Sequence, residues 1–304
     1  MAVTRPALPA SVRRSILWKR SLPYLLIAPS LLVFLTFDLY PIFYSLYLSF
    51  LKWNLISPKK TFIGLDNYVE LFTAEEFRVA VIHTLVYTAG RVFGSLSIAL
   101  GLALLLNTQK RWASWIQAAI FSPHIVSMVS ISMLWLWLMD PSYGLLNWLL
   151  GLVGIAPLKW LASSNTALIS IIMVAVWKVI GYDMVIFIAG LQSIENELYE
   201  AAKIDGANVF QRFWKITLPM LSPTIFFLSV TSVITSFQVF DVVRIMTGGG
   251  PADSTNVLVY YIFQYGFRFF KIGQASAAST ILFLLVLTLT LLQFKFMERK
   301  VHYS

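Results

Sequence analysis

Arg91, Lys178, Asp183, Asp241 and Arg244 are among the ionisable side chains that lie inside stretches otherwise apolar enough to enter a lipid bilayer. Charge at that depth is costly and usually faces a bundle interior or a wet cavity, so these residues are candidates for holding a polar solute or for pairing with one another. Lys178 and Asp183 fall about 140 degrees apart around a helix and cannot both face one point squarely. Asp241 and Arg244, at i and i+3, can pair on one face, either as a structural ion pair or as part of a solute site. For Lys178 the readings are a snorkelling or helix-packing ammonium and a solute contact. The chemistry on offer is charge and hydrogen bonding. No motif for covalent work accompanies it: cysteine is absent, and neither a G-x-x-x-x-G-K-[ST] phosphate loop nor H-E-x-x-H occurs. His83, His124 and His302 show no metal-ligand spacing; the first two are expected at a span end or against a neighbouring helix, the third in the tail.

Aromatic residues extend the candidate set. Trp135, Trp137, Trp177, Tyr182, Phe237 and Phe240 offer flat apolar faces on which sugar rings stack, and Gln238 could bind sugar oxygens, although interface anchoring explains Trp and Tyr equally well. Pro123 and Gly181 mark possible breaks in spanning helices, which are tolerated where backbone lines a cavity. The residues expected on a solute path are Lys178, Tyr182, Gln238 and Asp241.

The elements that must carry these side chains follow from composition. The chain is 58% hydrophobic and 12% charged, with mean hydropathy +0.76, which excludes an ordinary soluble globule and implies an all-α polytopic membrane protein. Six stretches are long enough to span, at about Leu22 to Phe50, Val81 to Leu106, Ala113 to Met139, Ala167 to Leu191, Pro219 to Met246 and Ala275 to Phe296. The first lacks a small-residue cleavage site and runs on through Asp38, so it reads as an uncleaved anchor. The net charge of +9 is mostly charge flanking spans, and no nucleic-acid partner is expected. With six spans both termini share one side, and that side holds thirteen of the 23 Lys and Arg residues against seven on the other. The positive-inside rule places both termini in the cytoplasm, and the loop from Thr247 to Gln274 outside. A cysteine at Ser254 should then be open to impermeant reagents and one at Asn208 closed.

One polar segment stands between the fourth and fifth spans. Glu200-Ala201-Ala202-Lys203-Ile204-Asp205-Gly206 is followed after nine residues by Ile216-Thr217-Leu218-Pro219. Ser193 is expected to cap a short helix with Glu195 and Glu197 in its first turn, and Gly206 to end it in a left-handed conformation. A second amphipathic piece from Asn208 to Ile216 would set Phe210, Phe213, Trp214 and Thr217 on one face, and Pro219 would open the next helix. This spacing resembles the EAA motif, E-A-A-x3-G-x9-I-x-L-P, of the membrane subunits of bacterial ABC importers. Phe62-Ile63-Gly64-Leu65-Asp66-Asn67-Tyr68, Met246-Thr247-Gly248-Gly249-Gly250-Pro251, and Trp177-Lys178 with Gly181-Tyr182 and Ala189 to Ile194 are similar to stretches of the oligosaccharide and glycerol-3-phosphate branch of those permeases. The family's usual proline after Gln-x-Ile is Glu195 here.

The resemblance implies a type I ABC importer permease fold, with residues 1–76 as cytoplasmic N-terminus, first span and outer loop, 77–297 as permease core with a coupling loop at 193–218, and 298–304 as a tail. It implies half of a pore for a carbohydrate or glycerol-3-phosphate and no enzymatic step on this chain. Glu200, Ala201, Ala202, Asp205 and Gly206 would couple the pore to an ATPase. The implied partners are a second homologous permease, two copies of a cytoplasmic ABC ATPase that hold the ATP and Mg, and an extracytoplasmic solute-binding protein; this chain would hold no cofactor or metal. The alternatives kept open are an ion-coupled secondary carrier and an intramembrane enzyme.

Overall fold

The computed structural model describes residues 10–108 and 110–297. The expected tail 298–304, with His302, lies outside the described residues. Helix α1 (Ala10–Phe34) runs through a π-helical turn at Leu35–Leu39 into α2 (Tyr40–Leu48), and a two-residue hairpin follows, β1 (Leu51–Lys52) antiparallel to β2 (Thr61–Phe62). Helix α3 (Asp66–Thr73) is short and amphipathic. It leads into α4 (Glu75–Leu106), whose first turn places Glu75 and Glu76 at the positive end of the helix dipole.

The third span is broken. Helix α5 (Arg111–Ile125) contains Pro123, which lacks an N–H to continue the ladder, and α6 (Met128–Leu138) leaves it at 102° after a two-residue gap. Ser127 restarts the helix, its hydroxyl accepting from the Ser130 amide. Beyond α6, α7 (Leu145–Leu152) is held by Asn147, which donates to the Pro141 and Leu158 carbonyls and accepts from the Leu158 amide and the Trp160 indole. Helix α8 (Ser164–Gln192) is the fourth span and is unbroken. Gly181 therefore does not mark a break. A Cβ there would strike the Ile120 carbonyl and Phe121 Cα of α5, so glycine is what lets the two helices touch.

After α9 (Asn196–Ile204) and α10 (Val209–Arg212), a π-helical turn at Phe213–Thr217 continues into α11 (Leu218–Met220). The chain then bends by 62° at Leu221 before α12 (Ser222–Phe237), so the fifth span starts after Leu221 and not at Pro219. Helix α13 (Asp241–Met246), α14 (Leu258–Phe263) with a π-helical turn at Gln264–Arg268, and α15 (Ile272–Met297) complete the chain. Four helical segments are each long and apolar enough to cross a membrane, and the count reaches the six expected spans when each of the two bent pairs is taken as one.

Packing follows residue size. Helices α4 and α8 share the most extensive seam, closed by Ala99 and Ala103 at one end, while α5, α12 and α13 lie against them. One apolar cluster, including Tyr87, Ile131, Ile171, Val243 and Tyr260, joins α4, α6, α8, α13 and α14. A second, including Ala103, Met184, Phe187, Leu221 and Leu228, fills the end near α9. Arg91, Ser95, Asp183, Ser232 and Ser236 come between these clusters in sequence on α4, α8 and α12, as a polar layer inside the bundle.

Candidate coupling element and translocation path

The segment from Ser193 to Thr217 is built as two short helices around a turn. Ser193 closes α8 instead of opening α9: its hydroxyl donates to the Gly190 carbonyl, and Glu195 stands at the N-cap of α9 without a side-chain bond. That corrects the expected cap: α8 ends at Gln192 with Ser193 as its C-cap, and α9 opens two residues later at Glu195. Gly206 has φ +76°, the left-handed region glycine enters without strain. Its amide donates to the Lys203 carbonyl and that of Ala207 to Ala202, closing the helix end. Asn208 and Gln211 then form a reciprocal capping box, each side chain bonded to the other's backbone amide. Tyr199 on α9 is 2.9 Å from the Thr217 hydroxyl, which ties the wedge to the base of the fifth span.

The outer face of this wedge is open. Glu200, Ala201, Asp205 and Gly206 are exposed and Ala202 is half-buried. Beside them Ile204 is 86% exposed and Phe210 69%, with Val209 and Trp214 also exposed. Thr217, assigned to the same face as Phe210 from sequence, is buried; the π-helical turn rotates it inward.

The expected solute-path residues fall into two groups. Lys178 Nζ donates to the carbonyls of Pro123, His124 and Val126 at 3.2, 3.1 and 2.6 Å. These are carbonyls at the α5–α6 break, so the ammonium takes the place of missing ladder donors. This use of Lys178 is neither snorkelling nor pairing with an acid. One turn on, Tyr182 stacks on His124 with ring centroids 4.8 Å apart, which sets His124 against a neighbouring helix as expected.

Gln238 ends α12 and Asp241 begins α13, both exposed. Thr235 and Arg244 are exposed as well, so a row of polar side chains runs along this second break. Asp241 and Arg244 do not pair: the Arg244 guanidinium lies 4.8 Å from the Phe263 ring centroid. Phe263 arrives from a later helix, which local spacing could not reveal. No hydrogen bond or ring contact joins Lys178 or Tyr182 to Gln238 or Asp241 among the described residues. Phe237 is 1% exposed and Trp135 9%, so both belong to the core and offer no face to a solute; Trp137 is exposed, and Phe240 packs on Phe263.

Two intramembrane charges play parts that periodicity did not show. Arg91 Nη1 bridges α4 to α12, donating to the Ser232 carbonyl and to the Thr235 and Ser236 hydroxyls at 2.7, 2.8 and 2.6 Å. Asp183 is 2% exposed, faces Ser95 and Arg91, and has one carboxyl oxygen without a hydrogen-bond partner.

Spans broken beside polar side chains, a charged layer inside the bundle and an unburied helical wedge between two spans accord with a multi-pass membrane transport subunit. The chain belongs to the family described as binding-protein-dependent transport system inner membrane component, whose model matches residues 71–303. It is 38% identical over 283 residues to the probable ABC transporter permease protein YurN of Bacillus subtilis (strain 168), covering 91% of this chain and 96% of that protein. It is 35% identical over 286 residues to the sn-glycerol-3-phosphate transport system permease protein UgpA of Agrobacterium fabrum (strain C58 / ATCC 33970), covering 93% and 97%. Among solved structures, a bacterial ABC transporter involved in import of the acidic polysaccharide alginate matches with TM-score 0.81 and 27% identity, covering 94% of this chain and 99% of that one. The alginate transporter in complex with an alginate pentasaccharide-bound periplasmic protein matches at 0.82 and 26%, over 94% and 98%. The fold is that of a type I ABC importer permease, and the chain is a pore-forming subunit of such an importer. The ion-coupled carrier and the intramembrane enzyme are thereby set aside.

Proposed function

We propose that this chain supplies half of the translocation path of an ATP-driven importer for a carbohydrate or glycerol-3-phosphate-like solute. Relatives named for glycerol-3-phosphate and for alginate support the solute class, since both are oxygen-rich and anionic. A second permease chain would provide the other half, two cytoplasmic ATPase subunits would bind ATP and Mg, and an extracytoplasmic binding protein would deliver the solute. Both termini and the 193–218 segment would face the cytoplasm, with 77–297 as the permease core.

The observation that carries this reading is the open wedge of α9 and α10. An exposed acid, Glu200, stands beside the apolar row of Ile204, Val209 and Phe210, a surface suited to a protein partner with a basic residue and an apolar cleft. Motion imposed there would pass through Tyr199 and Thr217 into the fifth span, where Gln238 and Asp241 lie, and past α8, where Lys178 and Tyr182 shape the third-span break. The test is reconstitution of the assembled complex in vesicles containing ATP. Uptake of labelled solute should require both ATP and loaded binding protein and should persist when ion gradients are collapsed; uptake that follows an ion gradient without ATP would refute the proposal.

A further inference from the structure

A cavity of about 450 Å³ opens between the β1–β2 hairpin, α3 and the start of α15. Lys52, Lys59 and Lys271 line it, with Trp53 in its wall. Lys60 adjoins, its ammonium 4.3 Å from the Trp53 ring centroid and bonded to the Tyr44 hydroxyl, which folds the hairpin down onto the first span. The acid in its lining, Glu70, is engaged by Gln274. Four of the seven Lys and Arg residues assigned outside thus gather around one cavity, where the positive-inside rule would disfavour them.

Helix length sets the depth of this cavity. Leu22–Leu48 has 27 residues and Ile272–Phe296 has 25. At about 1.5 Å per residue these are about 40 and 37 Å long, longer than the roughly 30 Å hydrocarbon core and close to the roughly 40–45 Å that includes headgroups. Lys52 follows the first helix and Lys271 directly precedes the second, so both ammonium groups stand at headgroup level. Helix α3 agrees: Leu65, Val69 and Phe72, spaced for one face, are 63%, 61% and 61% exposed, the pattern of a helix lying in the interface with its apolar edge in lipid.

We propose that this cavity holds the phosphate headgroup of an anionic phospholipid of the outer leaflet, the lysines binding phosphate and the acyl chains running down the lipid-facing sides of α2 and α15. The outer-leaflet placement rests on the orientation proposed above; the lipid contact does not. Trp53 and Tyr44 supply the amphipathic rings that favour this depth.

The test uses the assembled complex in nanodiscs of about one part phosphatidylglycerol to nine parts phosphatidylcholine, with retained lipid read by native mass spectrometry. Phosphatidylglycerol should be enriched about tenfold over the mixture on the wild-type complex and about twofold or less on Lys52→Gln/Lys59→Gln/Lys271→Gln. The corresponding triple Arg variant should keep the enrichment, and so should Arg78→Gln/Lys159→Gln, which removes outer charge elsewhere. If the triple Gln complex does not assemble, Lys271→Gln alone should lower the enrichment about threefold. Equal enrichment in wild type and the lysine variants overturns the proposal. So does displacement of the lipid by soluble glycerol phosphate, which would mark a free-anion site, or a variant that loses affinity for the loaded binding protein with lipid retention unchanged, which would mark a protein contact. Nanodiscs expose both leaflets, so this readout survives even if ATP-driven uptake or the proposed orientation fails.

Discussion

Under the proposed coupling role, Glu200 and Gly206 form a joint that needs little side chain. Reversing charge with Glu200→Lys should replace attraction by repulsion at the ATPase surface, a change of several kcal/mol, on the order of 2–5, if the contact is desolvated. Uptake should fall at least about tenfold, with insertion intact because no span is touched; pull-down and uptake in reconstituted vesicles check this, and normal uptake would remove Glu200 from the coupling role. At Gly206 no neighbouring atom would meet a Cβ, so the constraint is the backbone alone. Gly206→Val should therefore uncouple ATP hydrolysis from uptake, while Gly206→Asn, which tolerates the left-handed region, should restore much of it. Lys178 gives a different test. Lys178→Met would leave the part-buried carbonyls at the α5–α6 break without their donor, at about 1 kcal/mol, the low end for an unsatisfied group. The expected signature is a thermal midpoint lowered by a few degrees, on the order of 2–8, with solute preference unchanged. An altered preference at unchanged stability would instead make Lys178 a solute contact.

At the scale of elements, orientation is the first thing to measure. Ser254, the labelling position suggested by sequence, is buried, whereas its neighbour Asp253 is exposed and so is Asn208. A cysteine at Asp253 should react with an impermeant thiol reagent in intact cells and one at Asn208 should not; the reverse pattern would invert the topology. The membrane-length helices and the wedge were legible because both are written locally: about 20 apolar residues make a span, and a glycine at fixed distance from a polar helix makes its stop. The misread features depend on neighbours distant in sequence. Gly181 is small because α5 crosses it, Arg244 turns from Asp241 because Phe263 is at hand, and Lys178 finds carbonyls because Pro123 frees them. Of the candidate path, polarity and depth were readable; which side chains are already occupied by the protein itself was not.

As a whole molecule, under the proposed function, the chain is one half of a pore. Thr235, Gln238 and Asp241 are exposed around the junction of α12 and α13, a polar face that the second permease chain of the proposed importer would cover with a wet path between. Expressed with its partner, the chain should purify as a complex of at least two permeases; a stable lone monomer that transports would contradict that arrangement. The first span carries the same incompleteness into the life of the protein. From Leu22 to Asp38 every described side chain is exposed, and Asp38 lies about 15 Å along the helix from Leu48, well inside the bilayer. A newly inserted copy therefore displays an acid in lipid until something covers it, which is the kind of flaw that membrane quality control reads. Without its partner the chain should be degraded quickly, and Asp38→Leu should lengthen its half-life in a pulse-chase experiment while leaving the half-life of the assembled complex unaltered. The exposed acid would then act as a timer on assembly, limiting how long an unmated half-pore persists in the membrane.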